Sequence, residues 1–149
     1  MADVLTKKQR SYNMSQIRAR NTRPEVKFRK LLSKAGFGNY RVNYNSLYGK
    51  PDIVFVKNHV VIFVDGCFWH RCHVCFTRPK TRSKFWMEKI RENLRRDRKV
   101  NKELKRKCWS VIRIWEHDVE KNSEQILAKL VKILRCKHRR GRSLLRITS

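Results

Sequence analysis

PDIVFVKNHVVIFVD, residues 51–65, holds two short apolar runs, 53–56 and 60–64, with Lys57-Asn58-His59 between them. Both runs are rich in β-branched residues, which suit the pleated backbone of a strand. A short polar link between two such runs predicts a β-hairpin. Neither run alternates with polar residues. Strands apolar on both faces belong inside a sheet that is covered on both sides. An antiparallel hairpin also brings the start of its first strand beside the end of its second. Asp52 and Asp65 occupy those two ends. Two carboxylates at one point suit a hard divalent cation such as Mg²⁺, the usual helper in phosphodiester cleavage. They suit equally well the turn and strand-edge acids of an ordinary sheet.

The rest of the chain supplies the cover. Thr22, Pro24 and Glu25 read as a helix start, with a capping hydroxyl, then a proline and an acid in the first turn. That helix carries Val26, Phe28, Leu31 and Leu32 and ends at Lys34-Ala35-Gly36. Met14 and Ile17 show helical spacing ahead of it. Residues 40–44 alternate like a strand, and residues 47–50 read as a turn. Residues 83–107 form a long basic helix. WSVIRIW (109–115) is a third β-rich run, and QILAKLVKIL (125–134) is an amphipathic helix. Helix, strands, long helix, strand, helix predicts an α/β domain with a central sheet flanked by helices. Residues 1–136 read as one domain, with 1–20 as an arm or opening helix. Residues 137–149 read as a basic tail.

The chain has 149 residues, with 38 Lys and Arg against 12 Asp and Glu, a net charge of +26. A surplus this large in a small domain repels itself unless a polyanion is near. Nucleic acid is the partner it predicts first, and an anionic membrane surface second. No stretch approaches the ~20 apolar residues of a spanning helix. MADVLTKKQR has no apolar signal core, so a cytoplasmic protein working at the nucleoid is expected.

VDGCFWHRCHVC, residues 64–75, follows the hairpin directly and carries three of the five cysteines. Cysteines clustered this way in a reducing compartment predict metal ligation before disulfides. Tetrahedral zinc needs a fourth nitrogen or sulfur ligand. His117, just past the third strand, is favoured with Cys67, Cys72 and Cys75. His73 is the local competitor, and Cys108 lies at the wrong end of the strand. Phe68 and Trp69 fall inside this loop, and Trp86 opens the basic helix after Phe85, which reads as core. Aromatics beside a basic surface can stack on bases or wedge between them. His70 has a side chain that titrates near neutrality and can act as a general base or acid. In KIRENLRRDRKVNKELKRK (89–107), Asp97 pairs either with its neighbours Arg96 and Arg98 or inward, with His70.

In order and at these spacings, the residues resemble the very short patch repair endonucleases, which nick DNA at T:G mismatches. The resemblance runs from about residue 10 to residue 117. It rests on RSYNMSQIRARNTRPE, GKPDIVF, VIFVDGCFWHRC, KTRSKFWMEKIRENLRRDRKV and CWSVIRIWEHD. It implies a restriction-endonuclease-like fold, with a central mixed β-sheet flanked by helices and a structural zinc site. It also implies that Asp52 holds the Mg²⁺, with the Val64 backbone carbonyl and Asp65 beside it. His70 would be the general base, Glu25 would act with it through water, and Asp97 would be the acid of the basic helix. Zinc would sit on Cys67, Cys72, Cys75 and His117. Phe68, Trp69 and Trp86 would insert beside the mismatch of double-stranded DNA, and the enzyme would be a monomer. The family's best-known member carries a Thr-His pair where this chain has Val64 and Asp65. Asp65 is thus open between metal ligand and acid catalyst. One rival reading keeps the fold and makes the chain a restriction- or homing-type endonuclease for a specific duplex site. Another is a zinc DNA-binding protein without catalysis, against which Glu25, Asp52, His70 and Asp97 together argue.

Overall fold

In a computed structural model that describes residues 5–16, 20–136 and 144–147, the hairpin forms as expected. β1 (Ile53–Phe55) and β2 (Val60–Asp65) pair antiparallel, with Ile53 opposite Ile62 and Phe55 opposite Val60. β3 (Ser110–Trp115) lies parallel to β2, with Ile62 opposite Ile112. β4 (Leu144–Ile147) lies parallel to β3 on its far side, so the sheet is mixed and runs β1-β2-β3-β4. Five helices accompany it among the described residues: α1 (Lys7–Gln16), α2 (Arg23–Lys34), α3 (Ser83–Arg106), α4 (Glu116–Lys121) and α5 (Ser123–Cys136).

The period of two along each strand divides the core into two layers. Ile53, Phe55, Val60, Ile62, Ile112 and Ile114 face one way and meet Phe28 and Leu32 of α2 and Ile126, Leu130 and Leu134 of α5. Val54, Val61, Phe63 and Val111 face the other way and meet Val100 and Leu104 of α3. Burial of each such side chain contributes about 1.5–3 kcal/mol. The double cover explains why neither strand alternates in polarity. It also places the end of β2 between α2 and α3.

Three expectations need correction, and one helix was missed. Residues 40–44 form no strand, only one bridge between Arg41 and Val54. Asn43 there takes a left-handed φ of 52°, which breaks an extended run. α4 was not predicted, because six mostly polar residues carry too little apolar periodicity. β4 lies within the stretch expected to be a tail, where LLRI adds to the open edge of β3. Phe85, expected in the core, is exposed: the buried stripe of α3 runs through Ile90, Val100 and Leu104, and position 85 falls off it. The expected helical position Ile17 and residues 137–143 and 148–149 of the expected tail lie outside the described residues. Among the described residues, no helix is long and apolar enough to cross a membrane.

Candidate active site and metal centre

The hairpin register builds one side of a cleft. Asp52 N–H donates to the Ile62 carbonyl at 3.1 Å, and Val64 N–H donates to Asp52 Oδ2 at 2.7 Å. Asp52 and Val64 are therefore side by side, as the crossing ends of a hairpin require. Asp65 closes β2 on the face covered by α3 and is buried. α2 contributes Glu25 from its first turn. Thr22 occupies the N-cap, but its hydroxyl makes no capping bond to the backbone. It donates instead to Glu25 Oε1 at 2.9 Å and so steers that buried carboxylate. α3 contributes Asp97, which turns inward. The turns after Gly66 bring His70 back beside the end of β2, and its Nδ1 lies 2.6 Å from Asp97 Oδ2. Glu25, Asp52, Val64, Asp65, His70 and Asp97 all line this one cleft.

The two sides of the cleft differ in charge balance. Burial, then the charge of Glu25, pushes the Asp52 carboxyl up to about 7. A carboxylate disfavoured in this way gains from a cation. Among the described residues no third His, Cys, Asp or Glu donor converges on Asp52. The site offers the Asp52 carboxylate, with Glu25 and Asp65 lining the same cleft, which suits Mg²⁺, an ion that commonly takes one or two carboxylates and completes its shell with water and substrate phosphate. On the other side the charges compensate one another. Burial alone would raise Asp97, but its bonds to His70 and Arg113 outweigh this and hold its carboxyl below the usual range. Burial alone would lower His70, but Asp97 and Asp65 hold it above its ordinary value.

Arg113 was not anticipated from the sequence. Its Nη1 donates to Asp65 Oδ1 at 2.7 Å, and its Nη2 lies 3.2 Å from Asp97 Oδ1. The signal was present: a lone cation inside the apolar WSVIRIW, and an acid closing VVIFVD. In the parallel register Asp65 sits opposite Trp115, so Arg113 is its diagonal neighbour.

A second constellation sits at the far side of the same loop. Single donor atoms of Cys67, Cys72, Cys75 and His117 all lie within 4.8 Å of one another. His117 Nδ1 is 3.2 Å from Cys67 Sγ and 3.5 Å from Cys72 Sγ. Tetrahedral zinc with ordinary bond lengths separates such atoms by about 3.5 Å. His117 Nε2 faces Asp118 Oδ1 at 3.5 Å, the carboxylate–histidine arrangement that orients a ligating imidazole. Burial pushes the Cys67 thiol up to about 12, so a cation is what would turn it into a thiolate. A soft sulfur-rich set of four fits zinc. His73 and Cys108 are not among these four and are exposed.

The aromatics gather at the rim. Phe68 and Trp69 ring centroids are 5.2 Å apart, and Trp86 lies 5.8 Å from each. All three are half-buried against one another rather than projecting singly. Arg91, Arg95, Arg96, Arg98, Lys99 and Lys102 of α3 are exposed around this rim and beyond it.

Residues 2–77 match the family model described as DNA mismatch endonuclease Vsr. That span includes Glu25, Asp52, His70 and the three loop cysteines, and stops before Asp97 and His117. The chain is 44% identical over 117 residues to the DNA mismatch endonuclease Vsr of Escherichia coli, covering 78% of this chain and 74% of the relative. It is 42% identical over 122 residues to the Type II nicking enzyme V.NmeAIP of Neisseria meningitidis serogroup A, covering 80% and 86%. It is 42% identical over 114 residues to the Type II nicking enzyme V.NaeI of Lentzea aerocolonigenes, covering 73% and 68%. The chain belongs to the DNA mismatch endonuclease Vsr family and is an endodeoxyribonuclease.

Proposed function

We propose that this chain has a restriction-endonuclease-like fold and nicks one strand of duplex DNA beside a T:G mismatch, with Mg²⁺, to start very short patch repair. The observation that carries the reading is the convergence of Glu25, Asp52, His70 and Asp97, from four separate segments, on one cleft edged by aromatics and cations. The name of the Escherichia coli relative supports the mismatch, and the names of the other relatives support a nick.

His70 is the base in this scheme. In the neutral ring, Nδ1–H donating to the Asp97 carboxylate leaves Nε2 with a lone pair for the cleft. Nε2 takes a proton as a water oxygen bonds to phosphorus, the P–O bond in line with it breaks, and the departing oxygen takes its proton from solvent. Glu25, fixed by Thr22, orients that water. Asp52 and the Val64 carbonyl would hold Mg²⁺, which when bound neutralises charge on the phosphoryl oxygens. Asp65 was open between a ligand beside them and an acid catalyst. Its Oδ1 already accepts from Arg113 and lies 3.9 Å from His70 Nδ1, which favours a role on the His70 side of the cleft.

Zinc on Cys67, Cys72, Cys75 and His117 would be structural, since four protein ligands leave no open position. Phe68, Trp69 and Trp86 would enter the base stack. A mismatched step costs less to unstack than a paired one, so the wedge itself favours mismatched over matched duplex. The exposed cations of α3 would bind phosphates. The proposal is of a monomer acting in the cytoplasm at the nucleoid.

Nicking of matched, T:G and unrelated-mismatch duplexes, each with Mg²⁺ and with EDTA, tests the reading. Single-strand cleavage confined to T:G with Mg²⁺ is expected. Equal cleavage of the matched duplex in a particular sequence would favour a restriction-type enzyme. Binding without any cleavage would leave a DNA-binding zinc protein.

A further inference from the structure

We propose that Arg113 is a positioning residue for the nicking reaction, fixing the carboxylate of Asp97 that in turn holds His70. The inference rests on the active-site reading above. Arg113 projects from the middle of β3 onto the face covered by α3 and is 4% exposed. Every nitrogen of its fork is used. Nε donates to Asn101 Oδ1 at 3.0 Å, Nη1 donates to Asp65 Oδ1 at 2.7 Å, and Nη2 lies 3.2 Å from Asp97 Oδ1. Its guanidinium sits 4.5 Å from the ring centroid of Phe63, its cross-strand partner, which closes one face of the fork.

The two oxygens of Asp97 are divided between two partners. Oδ1 faces Arg113 and Oδ2 faces His70 Nδ1 at 2.6 Å. A carboxylate held at one oxygen cannot rotate its other oxygen off the imidazole. Asn101 is four residues after Asp97, so both lie on one side of α3 and Arg113 grips that side twice. The same guanidinium neutralises Asp65, whose oxygen lies only 3.9 Å from His70 Nδ1. Without Arg113, Asp65 and Asp97 would compete for the imidazole, and His70 would have two orientations where it now has one. A buried planar fork with three acceptors is a task for Arg and not for Lys, whose ammonium is a point charge.

The test compares Arg113→Gln, Arg113→Lys and His70→Ala with the parent protein. Single-turnover nicking of a T:G duplex with Mg²⁺ gives the rate, and binding of the same duplex in EDTA gives the affinity. Arg113→Gln should nick about 100-fold more slowly, the loss expected for a misplacement of about 1 Å, with affinity unchanged. Arg113→Lys keeps the buried charge, and with it the fold, and should recover only part of the rate. It decides the matter if the glutamine variant fails to fold. A parent-like rate in folded Arg113→Gln, or in Arg113→Lys where only that variant folds, would overturn the proposal. So would a loss of affinity that accounts for the loss of rate. If His70→Ala nicks at the parent rate, the active-site reading falls and takes the role of Arg113 with it. If His70→Ala is inactive and the Arg113 variants are not slowed, only the inference about Arg113 falls.

Discussion

Replacing Asp97 by Asn changes one atom and should switch off the reaction. The carboxylate accepts on both oxygens, from Arg113 at 3.2 Å and from His70 Nδ1 at 2.6 Å. An amide has one oxygen and one NH₂. If the oxygen faces His70, the NH₂ is aimed at a guanidinium, donor against donor. If the oxygen faces Arg113, the NH₂ is aimed at Nδ1, which must then accept. Arg113 is always charged, so the second arrangement wins. The imidazole proton moves to Nε2, the nitrogen that faces the cleft, and the base is lost. A positioned general base contributes about 10²–10⁴ in rate, so single-turnover nicking should fall by that factor while DNA affinity holds. One charge-assisted hydrogen bond is also lost, worth about 1.5–3 kcal/mol. The Asp97 carboxyl lies below its ordinary value, so its contribution to stability is present above the unfolded pKa of about 3.9 and disappears as pH falls through the folded value. His70 is held above its ordinary value by the same contact, and that contribution grows as pH falls toward the ordinary histidine value of about 6.5 and is full below it. The stability gap between parent and variant, measured by urea unfolding, should therefore widen from neutral to mildly acidic pH and close in strong acid. A variant that nicks within a few-fold of the parent would refute the tautomer reasoning. A stability gap that stays open in strong acid, below the folded value of Asp97, would refute the electrostatic part.

Metal analysis of single variants should separate the four sulfur and nitrogen donors from their competitors. His117→Ala and Cys72→Ser should lose zinc and unfold at lower temperature, whereas His73→Ala and Cys108→Ala should keep both zinc and stability. Gly49 has a φ of +82°, and an added Cβ would lie 2.4 Å from Val100 Cγ1. Gly49→Ala should cost about 2–5 kcal/mol from left-handed strain and overpacking together. Val100→Ala should then cost less in that background than in the parent, as measured in a denaturation cycle. DNA affinity should fall linearly on a log–log plot against salt, with a slope near −0.9 for each phosphate neutralised; Arg95→Ala should make the slope shallower without changing which duplexes are nicked.

The hairpin and its acids were legible because two β-branched runs flank a short polar link, and antiparallel pairing brings the start of one run beside the end of the other. The position of Asp52 next to Val64 follows from it directly. The zinc donors were legible as residue types, and His117 was reachable because a parallel neighbour of β2 must bring its end beside the loop. The stretch 40–44 misled, since alternation is local and the left-handed Asn43 is not written in polarity. Thr22 was read as a backbone cap, the commoner use of a hydroxyl there, and it serves Glu25 instead. Arg113 was missed for a different reason. A charge in a strand looks like a flaw in the pattern until the strand beside it is known to end in an opposite charge.

On the proposed reading, the Asp52–His70 cleft cuts DNA through a metal-dependent step. Asp52→Ala removes the carboxylate that burial and Glu25 leave in need of a cation, and it leaves the cationic face of α3 intact. With a T:G duplex in saturating Mg²⁺, the variant should bind as tightly as the parent and nick at no measurable rate. Mg²⁺-dependent nicking at the parent rate would contradict the account.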